Sequence, residues 1–258
     1  MVTAPHPLGP RSDRPAHVAD LLHLLTRDPG RPRLTWYGDD GERVELSGAV
    51  LENWVNKTTN LLVEEFDAGP GTRVVLDLPV HWRTVVWAFA VWRVGATVVL
   101  VAAEDDATTG GGATRPDVVV TTRPERWTGM RAELVAVTLP ALARRFDGDL
   151  PAGAVDAASA VMTYGDQIGL APGINPDAAA LDDGTSTTTH AAVFSALITP
   201  RGSRETVDGR RGISEVLAGL VALWSADGSA IVLAPDVAAG LDADPDRHAR
   251  LLQSERAS

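Results

Sequence analysis

The chain has 258 residues, 45% of them hydrophobic, which is enough to bury a sizeable core in one large domain or two small ones. Its formal net charge of −11 opposes nucleic acid and anionic membranes as partners, because both attract basic surfaces. Cysteine is absent, which excludes disulfides, thiolate metal ligands and a cysteine nucleophile and fits a cytoplasmic location.

The first 16 residues are rich in Pro, Arg and Gly and lack the apolar segment of a signal peptide, so we expect a flexible tail. Residues 17–258 are expected to form a single α/β domain, with a possible subdomain break around residues 150–178. The longest apolar runs, residues 85–92 and 216–224, are shorter than the roughly 18 residues that cross a bilayer. We therefore expect no membrane partner.

Clear periodic patterns begin after the tail. Apolar residues at helical spacing predict a helix over residues 18–25. Residues 34–37 and 43–46 flank a Gly-Asp-Asp-Gly turn, which predicts a β-hairpin. Ser47 is then expected to cap a long helix that ends at Phe66.

One side of this long helix is apolar, which predicts that it is buried. The predicted buried stripe consists of Val50, Leu51, Trp54, Thr58, Leu61, Leu62 and Phe66. The residues predicted to face solvent are Glu52, Asn53, Asn56, Lys57, Asn60 and Glu64.

A strand–helix–strand unit follows. Residues 73–78 predict a β-branched strand, residues 82–94 an apolar helix, and residues 97–101 a strand apolar on both faces. Gly95 lies where a left-handed helix cap is favoured. These features predict an α/β fold, a layered and mostly parallel sheet flanked by helices.

Tryptophan is concentrated in the two long helices, at Trp54, Trp82, Trp87 and Trp92. Such a row could stack on bases or sugars. Because Trp87 and Trp92 lie among Val, Ala and Phe, packing of the helix onto the sheet is the favoured interpretation.

After residue 101 the apolar patterns in the sequence are shorter. An exposed acidic and Gly-rich loop is predicted at residues 104–114. Strands are predicted at residues 117–121, 134–138 and 229–234. Helices are predicted at residues 140–145, 157–168, 188–197, 213–224 and 244–253.

His81, Trp82 and Arg83 form a polar and aromatic cluster directly after the strand of residues 73–78. Open α/β sheets bind ligands at the carboxyl ends of their strands, which makes this cluster a candidate ligand site. The alternative is an ordinary helix start with an exposed His and Arg.

Several segments together resemble the opening of an adenylate-forming enzyme, the superfamily of acyl-CoA synthetases, luciferases and peptide-synthetase adenylation domains. The segments are LTWY at 34–37, ELS at 45–47, GPGTRV at 69–74, LP at 78–79 and the helix and strand of 87–99. The similarity is good over residues 34–101 and loose to about residue 250. It is greatest to small uncharacterised actinobacterial proteins that look like a truncated AMP-binding domain. The resemblance implies the fold of the N-terminal part of these enzymes without their C-terminal domain.

These enzymes join a carboxylate to AMP with ATP and Mg²⁺, using a Ser/Thr-rich phosphate loop with glycines and a nearby lysine. At the similar place this chain has residues 183–190, Asp-Gly-Thr-Ser-Thr-Thr-Thr-His, without the second glycine and the lysine. Lys57 is the only lysine in the sequence. The motifs that hold adenine, ribose and the mobile lysine in the family are not found, and Tyr164-Gly165-Asp166 matches the adenine motif only superficially.

The loop nevertheless has anion-binding potential. Backbone N–H groups and hydroxyls at a helix N-terminus could hold an anion, with a nearby His or Arg adding positive charge. The candidate residues are Gly184, Thr185, Ser186, Thr187, Thr188, His190 and Arg201. The alternative, which we favour, is a turn that caps the following helix, because Asp182 and Asp183 oppose a phosphate.

Three functional hypotheses follow. The first is a non-catalytic remnant that binds an adenylate, an acyl compound or a protein, with no catalytic residue, metal or cofactor. The second is an acid–AMP ligase completed by a partner subunit, using ATP and Mg²⁺ with Arg201 or Arg204 replacing the lysine. The third is a structural protein that associates with itself. No G-x-S-x-G elbow or G-x-x-x-x-G-K-S/T loop occurs, which disfavours a serine hydrolase and a P-loop nucleotidase.

Overall fold

The structure, a computed structural model, describes residues 14–101, 115–169, 172–195 and 201–257. The predicted tail lies largely outside these residues, and the predicted loop at 104–114 lies entirely outside them. The strands are β1 (Pro32–Tyr37), β2 (Arg43–Ser47), β3 (Arg73–Asp77), β4 (Thr97–Leu100), β5 (Val118–Thr121), β6 (Glu133–Ala136), β7 (Val155–Asp156), β8 (Ala179–Asp182), β9 (Thr187–Thr189), β10 (Arg204–Asp208) and β11 (Ser229–Leu233). The helices are α1 (Val18–Leu25), α2 (Gly48–Phe66), α3 (Trp82–Arg93), α4 (Ala157–Ala160), α5 (His190–Phe194), α6 (Ile213–Ser225), α7 (Pro235–Ala243) and α8 (Pro245–Glu255).

The strands form two sheets. One has the order β7-β6-β5-β3-β4-β8-β9 and is parallel except for β9, and the other has the order β10-β11-β1-β2 and is parallel except for β2. Central strands of the larger sheet are in register through β-branched residues, with Val75 opposite both Val99 and Val119. Helices flank both sheets, so the predicted α/β fold is confirmed.

Helix α3 is buried on every side and contacts both sheets. Trp92 Nε1 donates to the carbonyl of Ala180 in the seven-stranded sheet at 2.8 Å. Phe89 packs edge-on against Trp224, with ring centroids 5.1 Å apart, and Trp224 Nε1 donates to the carbonyl of Arg33 in the four-stranded sheet. The buried indole N–H groups of Trp92 and Trp224 are thus both hydrogen-bonded. The prediction that Trp87 and Trp92 pack the helix onto the sheet is confirmed, since both are buried.

Helix α2 begins as expected, because Ser47 Oγ accepts a hydrogen bond from the Val50 N–H. The predicted apolar stripe is correct for Leu51, Leu61 and Leu62, which are fully buried. It is wrong for Val50, which is 42% exposed, since this first-turn residue faces away from the core.

The polar side of α2 differs more from the prediction. Asn56 and Asn60 are buried and donate hydrogen bonds to backbone carbonyls of the loop at residues 165–167. Lys57 Nζ donates to the carbonyl of Tyr164 at 2.6 Å. These side chains satisfy an irregular loop that has no strand partner to do so, which is why they are not solvent-facing.

Three predicted helices are wrong in whole or in part. Residues 140–145 form turns, because the carbonyls at the start of this segment accept hydrogen bonds from Arg83. The helix expected at 157–168 is only α4 and a 3-10 turn that ends at Thr163. The helix expected at 188–197 begins later, because the β-branched run Thr187–Thr189 pairs with β8 as a strand.

The hairpin, the βαβ unit and α6 are confirmed, and Gly95 has the left-handed φ of +76° expected of a helix cap. Four elements were not foreseen, namely β7, β8, β10 and α7. Within the described part of the chain, no helix is both long and apolar enough to cross a membrane.

Gly48 generates a test of the packing between α1 and α2. A Cβ at Gly48 would lie 2.4 Å from the carbonyl oxygen of Leu25, whereas a Cβ at Gly219 in α6 would meet nothing closer than 3.8 Å. We expect Gly48→Ala to lower the free energy of unfolding by about 2 kcal/mol because the helices must separate. The matched control Gly219→Ala should raise it by up to about 1 kcal/mol, since Ala is the better helix former. Urea unfolding measures both, and equal effects would contradict the close approach at Gly48.

Candidate functional site

A cleft of about 570 Å³ opens where the carboxyl ends of strands from both sheets meet. Its walls come from the segments that follow β1, β3, β6 and β11. The lining residues are Trp36, Gly38, Asp39, Glu42, Pro79, Val80, His81, Leu139, Pro140, Ala234, Pro235 and Asp236. This is the edge at which open parallel sheets bind ligands.

His81 is the residue of the candidate trio that reaches this cleft. Its Nδ1 accepts a hydrogen bond from the Arg83 N–H and thereby caps α3. The proton of the neutral ring therefore lies on Nε2, which is 3.6 Å from Glu42 Oε2. Burial lowers the pKa of His81 to about 4, against the smaller opposing effect of the Glu42 charge. At neutral pH the ring is thus an uncharged N–H donor.

Glu42 is fixed by two neutral donors. Trp36 Nε1 donates to one carboxylate oxygen at 3.2 Å, and the Ala141 N–H donates to the other at 3.0 Å. Trp36 is itself held edge-on against His81, with ring centroids 5.0 Å apart. The loop after β1, the start of α3 and the loop after β6 therefore form one connected wall.

Trp82 and Arg83 are buried behind this wall. The Arg83 guanidinium lies 4.4 Å from the Trp82 ring centroid and donates to the carbonyls of Leu139, Pro140 and Ala141. Trp82 also packs edge-on against Trp54. The alternative of an exposed His and Arg is wrong, because both side chains are buried, His81 as the cap of α3 and Arg83 against the carbonyls of the loop after β6.

The Ser/Thr-rich segment forms the turn between β8 and β9. Asp183 Oδ1 accepts hydrogen bonds from the Thr185 hydroxyl and from the backbone N–H groups of Thr185 and Ser186, at 2.7 to 2.9 Å. These bonds, the Thr185 hydroxyl first, lower the pKa of Asp183 to about 2. Asp182 accepts from the Gly184 N–H in the same way. The donors proposed to hold an anion are already bonded to carboxylates.

The rest of that candidate set is dispersed. Thr187 and Thr188 belong to β9, so the helix begins only at His190, where Thr189 caps it. His190 is 2% exposed, and burial lowers its pKa; Nε2 has no hydrogen-bond partner in the described part of the chain. Arg201 is exposed in a turn before β10, a strand of the other sheet. Anion binding by these residues stays a prediction.

Sequence reasoning missed the acidic residues of the cleft. Asp39 and Glu42 lie in the β1–β2 turn, and Asp236 lies in the first turn of α7. The signal that could have identified them is a run of acidic residues directly after an apolar strand. Among the described residues, no group of three or more His, Asp and Glu is placed to hold a metal ion.

The buried, neutral His81 predicts a specific pH dependence of stability. The unfolded chain takes up a proton near pH 6.5, whereas folded His81 does so only near pH 4. The stability it contributes is therefore present above pH 6.5 and is lost as the pH falls towards 4. Between pH 7 and pH 5 the parent should lose on the order of 2 kcal/mol more unfolding free energy than His81→Asn, which keeps a capping side chain.

Urea unfolding at both pH values checks this prediction. His23→Asn, a change at an exposed position of α1, is the matched control and should retain the pH dependence of the parent. Equal pH dependence in the parent and His81→Asn would contradict the neutral state of His81.

Comparison with known proteins identifies the fold. No family model matches the sequence. The chain is 39% identical over 153 residues to the TIGR03089 family protein of Mycobacterium tuberculosis (strain ATCC 25618 / H37Rv), an alignment that spans 58% of this chain and 60% of that protein.

Solved structures match over more of the chain. Acetoacetyl-CoA synthetase from Streptomyces lividans aligns with a TM-score of 0.66 at 14% identity, over 84% of this chain and 38% of its own. McyG A-PCP complexed with phenylalanyl-adenylate aligns with a TM-score of 0.67 at 13% identity, over 96% of this chain and 46% of its own. The chain thus spans less than half of these structures and less than two thirds of the mycobacterial relative. It has the fold of the N-terminal part of acyl-CoA synthetases and related adenylate-forming enzymes.

Proposed function

We propose that the chain is a non-catalytic member of the adenylate-forming fold that binds a small molecule in the cleft between its two sheets. The proposal rests on the hydrogen bonds of the β8–β9 turn, because the N–H groups that could hold a phosphate there are bonded to Asp182 and Asp183. The proposal includes no nucleotide cofactor and no metal ion.

Formation of an acyl-adenylate needs positive charge where pyrophosphate leaves. In the β8–β9 turn the charge has the opposite sign, and a triphosphate would have to displace a carboxylate from Thr185 and Ser186. Lys57, the only lysine, already donates to the carbonyl of Tyr164 on the polar side of α2. Neither feature supports nucleotide activation.

The cleft supports the binding half of the proposal. It is formed by both sheets, has predominantly apolar walls, and presents a few fixed polar groups, as small-molecule sites do. His81 and Glu42 are held in place by the backbone of neighbouring elements before any ligand arrives. Preorganisation of this kind reduces the entropy lost on binding.

A ligase completed by a partner subunit is the second candidate, since the chain spans under half of the solved structures it matches. Arg204 is a poor substitute for the missing lysine, because it donates to Thr35 of β1 and Glu255 of α8. Arg201, by contrast, has an exposed side chain and is the residue on which this candidate depends.

Acid-dependent exchange of pyrophosphate into ATP tests the proposal. The purified chain, given Mg²⁺, ATP and a panel of carboxylic acids, should give no exchange above a blank without protein, because the donors of the β8–β9 turn are bonded to Asp182 and Asp183 and not available to a triphosphate. An active acyl-CoA synthetase in the same assay confirms that exchange is detectable.

Exchange by the purified chain that Thr185→Ala abolishes would overturn the non-catalytic assignment. Exchange that arises only with a partner protein, and is lost in Arg201→Ala but not in Arg204→Ala, would instead establish the second candidate. The exposed Arg131→Ala is the matched control for loss of a surface arginine.

A further inference from the structure

We propose that the cleft takes a small organic cation, a primary amine on an apolar body that also carries a hydroxyl or carbonyl oxygen, and that it rejects carboxylates and phosphates. The inference rests on the proposed function only in placing the ligand in this cleft.

The first argument is the charge of the walls. Asp39, Glu42 and Asp236 line the cleft, and none of the described lining residues is Arg or Lys. Neither Asp39 nor Asp236 forms an ion pair within the described part of the chain. Like charges a few ångströms apart repel, so an anionic ligand would meet an unfavourable field here.

The second argument is that Glu42 has no charged hydrogen-bond donor within the described part of the chain. Its two oxygens accept hydrogen bonds from Trp36 Nε1 and the Ala141 N–H, both neutral, and its other near neighbour is the uncharged ring of His81. The Arg83 guanidinium attracts the Glu42 charge through space, but it donates its hydrogen bonds to backbone carbonyls. A half-buried carboxylate fixed in this way favours an ammonium group over water.

The third argument is independent of the acidic residues. The His81 side chain is only 5% exposed, yet its Nε2–H lines the cleft without a hydrogen bond, since 3.6 Å to Glu42 is too long for one. The Nε2–H is accessible from the cleft, so an oxygen of a ligand there can accept a hydrogen bond from it. Glu42 would bind the amine and His81 Nε2–H the oxygen, so the ligand should carry both groups close together.

The apolar part of the ligand is set by the remaining walls. Trp36, Val80, Leu139, Pro140 and Pro235 surround the polar pair on several sides. Burial of apolar ligand surface against them would contribute roughly 25 cal/mol per Å². A bare inorganic cation would leave these walls unused.

Isothermal titration calorimetry with three probes of similar size tests the inference. The probes are 2-phenylethylamine, 2-phenylethanol and 3-phenylpropionate, which differ in charge and share the phenylethyl body. We expect the amine to bind at least about tenfold more tightly than the carboxylate, with the alcohol between them, and the preference to shrink as salt is added.

Variants that each remove one negative charge test which residue causes the preference for the amine. Glu42→Gln should weaken amine binding about tenfold and leave alcohol binding nearly unchanged, because only the charge is removed. Asp236→Asn, at an exposed position, should act in the same direction if Glu42→Gln fails to fold. Glu133→Gln removes the same charge from the amino end of β6, at the opposite edge of the sheet, and should have no effect.

The outcomes separate the two proposals. Carboxylate binding as tight as amine binding, or no binding of any probe at millimolar concentration, would overturn the cation assignment even if pyrophosphate exchange is absent. Exchange activity would overturn the non-catalytic assignment even if the amine binds as expected.

Discussion

The complete burial of α3 is the constraint on which the other features depend. A helix that is apolar on all sides must be covered on all sides, and one sheet covers only one of them. The second sheet therefore packs against it, and Trp92 and Trp224 bond each indole N–H to a strand carbonyl. The two sheets thus share one apolar core.

This arrangement also creates the cleft. Because α3 lies between the sheets, the carboxyl ends of β3 and β6 face those of β1 and β11 across its first turn. His81 caps that turn and so lies at the meeting point. The same packing that stabilises the core fixes a neutral donor beside a carboxylate, which links the proposed binding site to the core.

Local sequence patterns correctly predicted the elements whose residue types match their burial. Helices α1, α3 and α6 have strong apolar repeats, and β3 and β4 each have two central valines. Strand β10 was missed because Arg204–Asp208 is polar, and its position is set by pairing with β11, a long-range contact.

The sequence identified His81 from its place after a strand. It did not predict the burial of His81 or its contact with Glu42, because Glu42 lies in a hairpin 39 residues earlier. The favoured interpretation of the Ser/Thr-rich segment as a turn that caps the following helix agrees with the structure, because Asp183 closes the turn and Thr189, at the end of the short strand β9, caps α5.

Lys57 has a practical consequence for handling the protein. It is the only lysine, it is half-buried, and its Nζ is bonded to the carbonyl of Tyr164. Reagents that acylate amines would find almost no reactive side chain, while the many arginines leave solubility and ion pairing intact. Because no lysine lines the cleft, amine-directed reagents would leave its walls unmodified.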